Sequence, residues 1–372
     1  MYRLVKGLTK AEFCIFQLYQ WGQTMKLVKI AAVSLLLAAS AFQVSAAVTF
    51  STFVGSTGGS PIGFAYAGNK FVGSNYFNNQ LYQTDLTGGG LQAFGAAIPI
   101  ASGSIGEVYV SSSLGLGGFG SREVFAGSEA TGNVYRFSND GTTQSLFASG
   151  LVGGVRGIAF DPYGAYANDM LVATNAGNVY RINNTGSATL LANVGGDAEG
   201  LDFTPQVFGN IAAHTLVVVS EGTGRLNAIA LDGTKTDLGL QFGTPEMLSF
   251  VPLNLGISGN PLEGFYAANY PANVIKAGAS EFSSYLGDAV ITDETNHHMY
   301  QIYWDNTTNA FKTNDIGFFP NQPEDGIFVT AAILDPGCTV TNTCGGNVPE
   351  PGTLALLGLG LAGLAVRRRK ST

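Results

Sequence analysis

The sequence predicts an all-β fold of repeated four-stranded units, a β-propeller. Three observations carry that expectation: strand-length apolar runs broken by turn residues, a strand motif that recurs after 45 residues, and a second motif that recurs in step with it. From about residue 48 to 335, short apolar and β-branched runs alternate with Gly, Asn, Asp and Thr, and helical periodicity is nearly absent. Glycine supplies 51 of the 372 residues, which suits a chain that must turn every few residues.

The strand motif Gly132-Asn133-Val134-Tyr135-Arg136-Phe137 recurs as Gly177-Asn178-Val179-Tyr180-Arg181-Ile182. A turn glycine follows six residues after the tyrosine in each copy, at Gly141 and Gly186. The same offset joins Tyr82 to Gly88 and Asn227 to Gly233. Asn-Asp-Gly, Asn-Thr-Gly and Leu-Asp-Gly are hairpin signals because the turn needs positive φ. Tyr300 repeats the strand with Asn306 at the turn offset, and Ile275 is the poorest copy.

The second motif is Arg156-Gly157-Ile158-Ala159-Phe160-Asp161-Pro162. It matches Glu199 to Pro205, Glu246 to Pro252 and, more loosely, Glu324 to Val329. Between the two motifs lies a third set of strands: Glu123 to Gly127, Met170 to Thr174, Leu216 to Ser220, Gly264 to Ala268 and Ala289 to Asp293. A fourth strand such as Leu190 to Val194 follows the turn, so each unit packs four strands into about 45 residues, the period of a propeller blade. A β-helix or a sandwich would also give short strands, but neither predicts that unit.

Six tyrosine-type positions, 82, 135, 180, 227, 275 and 300, predict six blades. The step from 275 to 300 is short, which implies a truncated blade there or a slip in the repeat alignment. The strand Val48 to Phe53 is expected to complete the last blade by joining the two ends, protecting the ring edge. In its Gly-Asn-Val-Tyr-Arg and Gly-Ile-Ala-Phe-Asp-Pro strands the region resembles the NHL and gluconolactonase-like six-bladed propellers, a broad superfamily.

In such a ring the Gly-Ile-Ala-Phe strand is innermost, and the residue before it faces the channel mouth. Those residues are Arg156, Glu199, Glu246 and Asp325. Their carboxylates could bind a polar ligand or a cation, Ca²⁺ or another divalent ion suiting oxygen donors. The alternative is that they solvate the mouth and hydrogen-bond to neighbouring blades. The resemblance implies a metal at this place held by carboxylate and Asn side chains, although the full ligand set is not matched, and no catalytic residue is assigned.

Other chemical signals are weaker. Asp293-Glu294-Thr295-Asn296-His297-His298 offers metal-capable side chains but falls at an expected turn. Gly115-Leu116-Gly117-Gly118-Phe119-Gly120 has the glycine spacing of a dinucleotide loop without its strand–helix context. There is no Gly-x-Ser-x-Gly elbow, and His214 has no obvious nucleophile partner. The 15 tyrosines and 24 phenylalanines are expected in blade packing, exposed ones being able to stack on sugars.

The two ends of the chain read as addresses. From Met25 a basic start, the apolar stretch Ile30 to Phe42 and Val44-Ser45-Ala46 predict a signal peptide, residues 25–46, cut after Ala46. Residues 1–24 read as an over-extended N-terminus, with an unusually long leader as the alternative. At the other end, Val348-Pro349-Glu350-Pro351 precedes the apolar run Leu354 to Val366 and the cluster Arg367-Arg368-Arg369-Lys370. That run spans about 20 Å as a helix, short against the roughly 30 Å hydrocarbon core, with its cations on the cytoplasmic side.

This tail, residues 348–372, resembles the PEP-CTERM sorting signal of Gram-negative bacteria. The resemblance implies export through the Sec translocon, transient inner-membrane retention, and cutting near Pro349 to Pro351 by an exosortase-type enzyme. The tail is then removed, as in a GPI signal.

The flanks 1–46 and 367–372 hold nine of the 18 basic residues and one of the 26 acidic ones, so residues 47–366 carry a formal charge of −16. That balance argues against nucleic acid and against anionic lipid as partners. Cys338 and Cys344, in a linker over 336–347, read as one disulfide in an oxidising compartment. The expected protein is an exported surface or matrix component whose 47–335 propeller binds or scaffolds, with exopolysaccharide or surface proteins as partners. The alternative is a metal-dependent hydrolase of lactones or esters.

Overall fold

The computed structural model describes residues 47–334. The expected signal peptide, the expected Cys338–Cys344 disulfide and the tail segment lie outside the described residues. Within them, 24 strands form six separate four-stranded antiparallel sheets. Their innermost strands touch in a closed ring, so the sheets are six blades around a channel.

The chain enters on β1, Ser51–Val54. Blade I is β2 to β5: Pro61–Tyr66, Phe71–Asn75, Leu81–Thr84 and Gln92–Phe94. Blade II is β6 to β9: Val108–Leu114, Ser121–Ser128, Val134–Phe137 and Gln144–Ala148. Blade III is β10 to β13: Val155–Phe160, Met170–Thr174, Asn178–Ile182 and Ala188–Asn193. Blade IV is β14 to β17: Ala198–Phe203, Leu216–Ser220, Arg225–Ile229 and Lys235–Gln241. The tyrosine-type positions all fall on third strands and the Gly-Ile-Ala-Phe strand is innermost, as expected.

The last two blades interlock. Blade V starts with β18, Pro245–Phe250, but the hairpin of β19, Gly264–Tyr270, and β20, Asn273–Gly278, leaves it and enters blade VI. Blade V is completed by β21, β22 and β23: Ala289–Asp293, His298–Asp305 and Ala310–Phe318. The chain returns as β24, Gln322–Val329, the innermost strand of blade VI, and β1 pairs with β20 as its outermost. The short step from 275 to 300 is therefore neither a truncation nor a slip, because two hairpins of complete blades lie in succession. Closure through β1 leaves the ring without an open break.

Six buried apolar clusters hold the molecule, each lying between two adjacent blades. Second strands such as β11, β15 and β21 are thus buried throughout, which explains their uninterrupted apolar sequences. The cluster that closes the ring, between blades VI and I, is rich in aromatics. Phe64 stacks on Phe71 at 5.1 Å, and Phe53 meets Phe71 and Tyr266 edge-on at 5.1 and 4.8 Å.

The turn glycines serve the same contacts. Gly186 has φ +83° and its N–H donates to Asn183 O at 2.9 Å, closing the turn of blade III. A Cβ there would run into Phe147 O on the outer strand of blade II. Gly186→Ala combines a left-handed backbone cost with a clash, together about 2–4 kcal/mol. Gly150, at φ +75° with open space around it, carries only the backbone term of about 1 kcal/mol. Thermal melts should rank Gly186→Ala well below Gly150→Ala; equal losses would sink the packing argument.

Candidate functional site

Each inner strand begins at one end of the channel, and five of the six carry an extra residue there. The insertions fall between Pro61 and Phe64, Val155 and Gly157, Ala198 and Leu201, Pro245 and Leu248, and Pro323 and Gly326. Such bulges re-aim side chains. Here they hold Arg156, Glu199, Glu246 and Glu324, all nearly buried.

Arg156 organises this end. Its Nη1 pairs with Glu107 and, at 3.2 Å, with Glu129; Nη2 reaches Glu199 at 2.8 Å and Glu221 at 3.1 Å; Nε lies 3.4 Å from Asp197. The guanidinium also sits over the Tyr109 ring, 5.5 Å from its centroid. Burial pulls the Arg156 pKa down, but Glu199, Glu246, Asp197 and Glu221 outweigh it and hold the group charged.

Of the expected mouth residues, the structure brings Arg156, Glu199 and Glu246 together and sets Asp325 apart. By strand pairing, Glu324 stands where Glu199 does, between the ladder positions Pro323 and Gly326. A one-residue slip moves a side chain to the other face of a strand. Asp325 instead turns into the wall, where it accepts the Phe64 N–H of blade I at 3.2 Å. Asp202 makes the equivalent link, accepting the Phe250 N–H of blade V at 2.7 Å.

Sequence reasoning missed Glu107, Glu129 and Glu221, and read Glu294 only as part of a metal-capable turn. Glu129, Glu221 and Glu294 follow second strands directly, in Ser128-Glu129, Ser220-Glu221 and Asp293-Glu294, with Asn175 at the same place in blade III. Aligning the ends of those strands would have exposed the pattern. The Asp293 to His298 segment is divided: Glu294 belongs to the channel, whereas His298 Nδ1 pairs with Asp315 at 2.6 Å on the surface. His214 stacks on Tyr163, with ring centroids 4.2 Å apart.

One guanidinium cannot neutralise this many acids. Glu246 is pushed well up by burial and by Glu199 and Glu324; Glu324 is pushed well up by burial and by Glu294 and Glu199. Burial lifts Glu199 to about 8 against the pull of Arg156. The Tyr109 hydroxyl faces both Glu199 and, at 2.9 Å, Glu107, and its single proton cannot serve both acceptors. Among the described residues, the buried Glu246 Oε2 and Glu324 Oε2 have neither a hydrogen-bond partner nor an ion pair. They belong to two carboxylate triads, Glu199–Glu221–Glu246 and Glu246–Glu294–Glu324, whose oxygens lie within 4.8 Å of one another.

From this plug an apolar shaft of about 550 Å³ runs along the inner strands. Its wall takes Phe64, Val110, Ile158, Leu201, Leu248 and Ile327, one from each blade, while Arg156, Glu199 and Glu246 form its charged end. Pro162, Tyr163, Pro205 and Pro252 lie at the opposite end, beside Ile333 of the one-turn helix Ala331–Leu334.

Residues 347–370 match the PEP-CTERM protein-sorting motif. The motif implies export, membrane anchoring through the tail before cleavage, and processing by an exosortase-type enzyme. No curated protein matches the sequence. Among solved structures, the chain is similar to one from a nidogen/laminin complex, at 16% identity and TM-score 0.47, over 72% of this chain and 83% of that one. It is similar to a streptogramin B lyase, at 12% identity and TM-score 0.46, over 74% and 75% of the two chains. It is also similar to a catalytically inactive virginiamycin B lyase from Staphylococcus aureus with quinupristin, at 12% identity and TM-score 0.47, over 72% and 74%. At these values the likenesses carry no argument about ligand or activity.

Each acid pushed up by burial holds its proton more tightly folded than unfolded. The stability this gives is full below the unfolded carboxylate pKa, about 4. It is lost as pH rises through the folded values, about 6 for Asp202, 7 for Asp325 and 8 for Glu199. The melting temperature of the metal-free exported protein should therefore fall from about pH 5 to about pH 8, and Glu246→Gln should flatten the fall. A melting temperature that climbs toward the alkaline end would overturn this assignment.

Proposed function

We propose that the chain is a binding module of the Gram-negative cell envelope. Its leader, residues 25–46, directs Sec export, and its tail holds it at the inner membrane until cleavage delivers the 47–335 body to the cell surface or extracellular matrix. There the six-bladed body binds a ligand in its channel and offers its loops to exopolysaccharide or surface proteins. The observation that supports this best is the shaft, a preformed apolar cavity walled by all six blades and ending in a few buried polar groups. Small-ligand sites are built this way, with volumes of about 300–1,000 Å³. The −16 body favours release from anionic surfaces rather than adhesion to them.

The exported protein should bind a neutral apolar probe, octanol, in the shaft. Ile327→Trp, which fills that space, should weaken binding at least about tenfold while leaving the fold intact. Equal binding by the filled and unfilled proteins would refute the channel as the ligand site.

A second reading, a metal-dependent hydrolase of lactones or esters, is favoured by the unpartnered Glu246 and Glu324 oxygens. An all-carboxylate set of this kind fits Ca²⁺ or another hard divalent ion. Glu246, Glu294 and Glu324 would hold it, and the bound ion would polarise a carbonyl oxygen. Metal analysis separates the two readings. A stoichiometric divalent ion lost in Glu246→Ala and Glu324→Ala, with lactone turnover, supports the hydrolase; no ion and undiminished probe binding supports the binding module.

A further inference from the structure

The shaft joins two environments that rarely meet in one cavity. Each of the six blades gives its wall an apolar residue, Asp202, Asp325 and Arg122 also line it, and its inner end presents Glu199 and Glu246, each 2% exposed. Glu246 Oε2 has no hydrogen-bond partner, a costly state for a buried carboxylate oxygen. The plug already accommodates one organic cation, since the Arg156 guanidinium is bound there by Glu107, Glu129, Asp197, Glu199 and Glu221. Glu246 has no ion pair with that guanidinium, although it lines the same end.

We propose that the shaft binds a small organic cation with an apolar body. A primary ammonium or guanidinium head would sit against Glu246 and Glu199, and a hydrocarbon portion would lie along Phe64, Val110, Ile158 and Leu201. This inference rests on the channel being the ligand site and adds the chemical class of the ligand. A pure hydrocarbon would leave the Glu246 oxygen unpartnered, and a neutral hydroxyl would supply a hydrogen bond without the charge. An anion would be repelled by the surrounding carboxylates. A bare divalent ion would use the plug but none of the hydrocarbon wall. An amphiphilic cation uses both ends of the cavity: charge-assisted hydrogen bonds at the plug and apolar burial along the shaft.

Calorimetry on the exported protein with a matched series, octylammonium, octylguanidinium, octanol, octanoate and methylammonium, tests this. Both octyl cations should bind at least about tenfold more tightly than octanol, with octanoate and methylammonium weakest. Glu246→Gln should remove most of that preference. If the variant does not fold, the wild-type series decides alone. Equal affinity for octylammonium and octanol would overturn the cation and leave the channel as an apolar site. Methylammonium binding as tightly as octylammonium would place the cation outside the shaft and overturn the proposal. Failure of every octyl probe to bind would overturn both this inference and the channel reading beneath it.

Discussion

One buried guanidinium, shared among three blades, is the interaction on which the channel depends. Arg156 of blade III draws Glu107 and Glu129 of blade II to one side and Asp197, Glu199 and Glu221 of blade IV to the other. Six inner strands brought this close must put their first side chains into one small volume, and five of those strands use an added residue to do it. Carboxylates crowded there repel one another unless they are protonated or paired. Arg156 supplies the pairing on one side of the ring, and the side around Glu246, Glu294 and Glu324 is left short of positive charge. Burial and that asymmetry together raise the Glu246 and Glu324 carboxyls, whose Oε2 atoms have no partner among the described residues.

Much of the ring was legible in the sequence because propeller geometry repeats local features. Tyr135 and Tyr180 mark third strands, and Gly141 and Gly186 mark the turns behind them, because a left-handed turn and a close neighbour both demand glycine. The exchange between blades V and VI was not legible. β19 and β20 look like any blade hairpin, and nothing local in them states that β24 and β1, rather than β18 and β21, are their partners. The site was half legible for a similar reason. A bulge shifts the side-chain alternation by one residue, so Asp325 aligned with Glu199 in the string while Glu324 replaced it in the ladder. Of the carboxylates after the second strands, Glu294 stood out beside two histidines, while Glu129 and Glu221 had no chemical motif to mark them.

The chain divides its tasks between segments that share little physics. The sorting motif at 347–370 implies where the protein travels and which kind of enzyme releases it. The body is held by six layers of apolar packing and works, in the reading favoured here, through a cavity in which all six blades take part. A propeller suits this arrangement. Its stability comes from contacts between neighbouring blades, so the residues facing the channel can depart from the ordinary rule that buried charges are matched.

The strength of the Arg156 network is best measured by equilibrium denaturation of Arg156→Met beside the wild-type protein at a mildly alkaline pH with metal chelated. Removing one partner from a buried ion network strands the others without compensation, so a loss of about 3–5 kcal/mol is expected. A variant within about 1 kcal/mol of wild type would mean that the carboxylates do not depend on this cation.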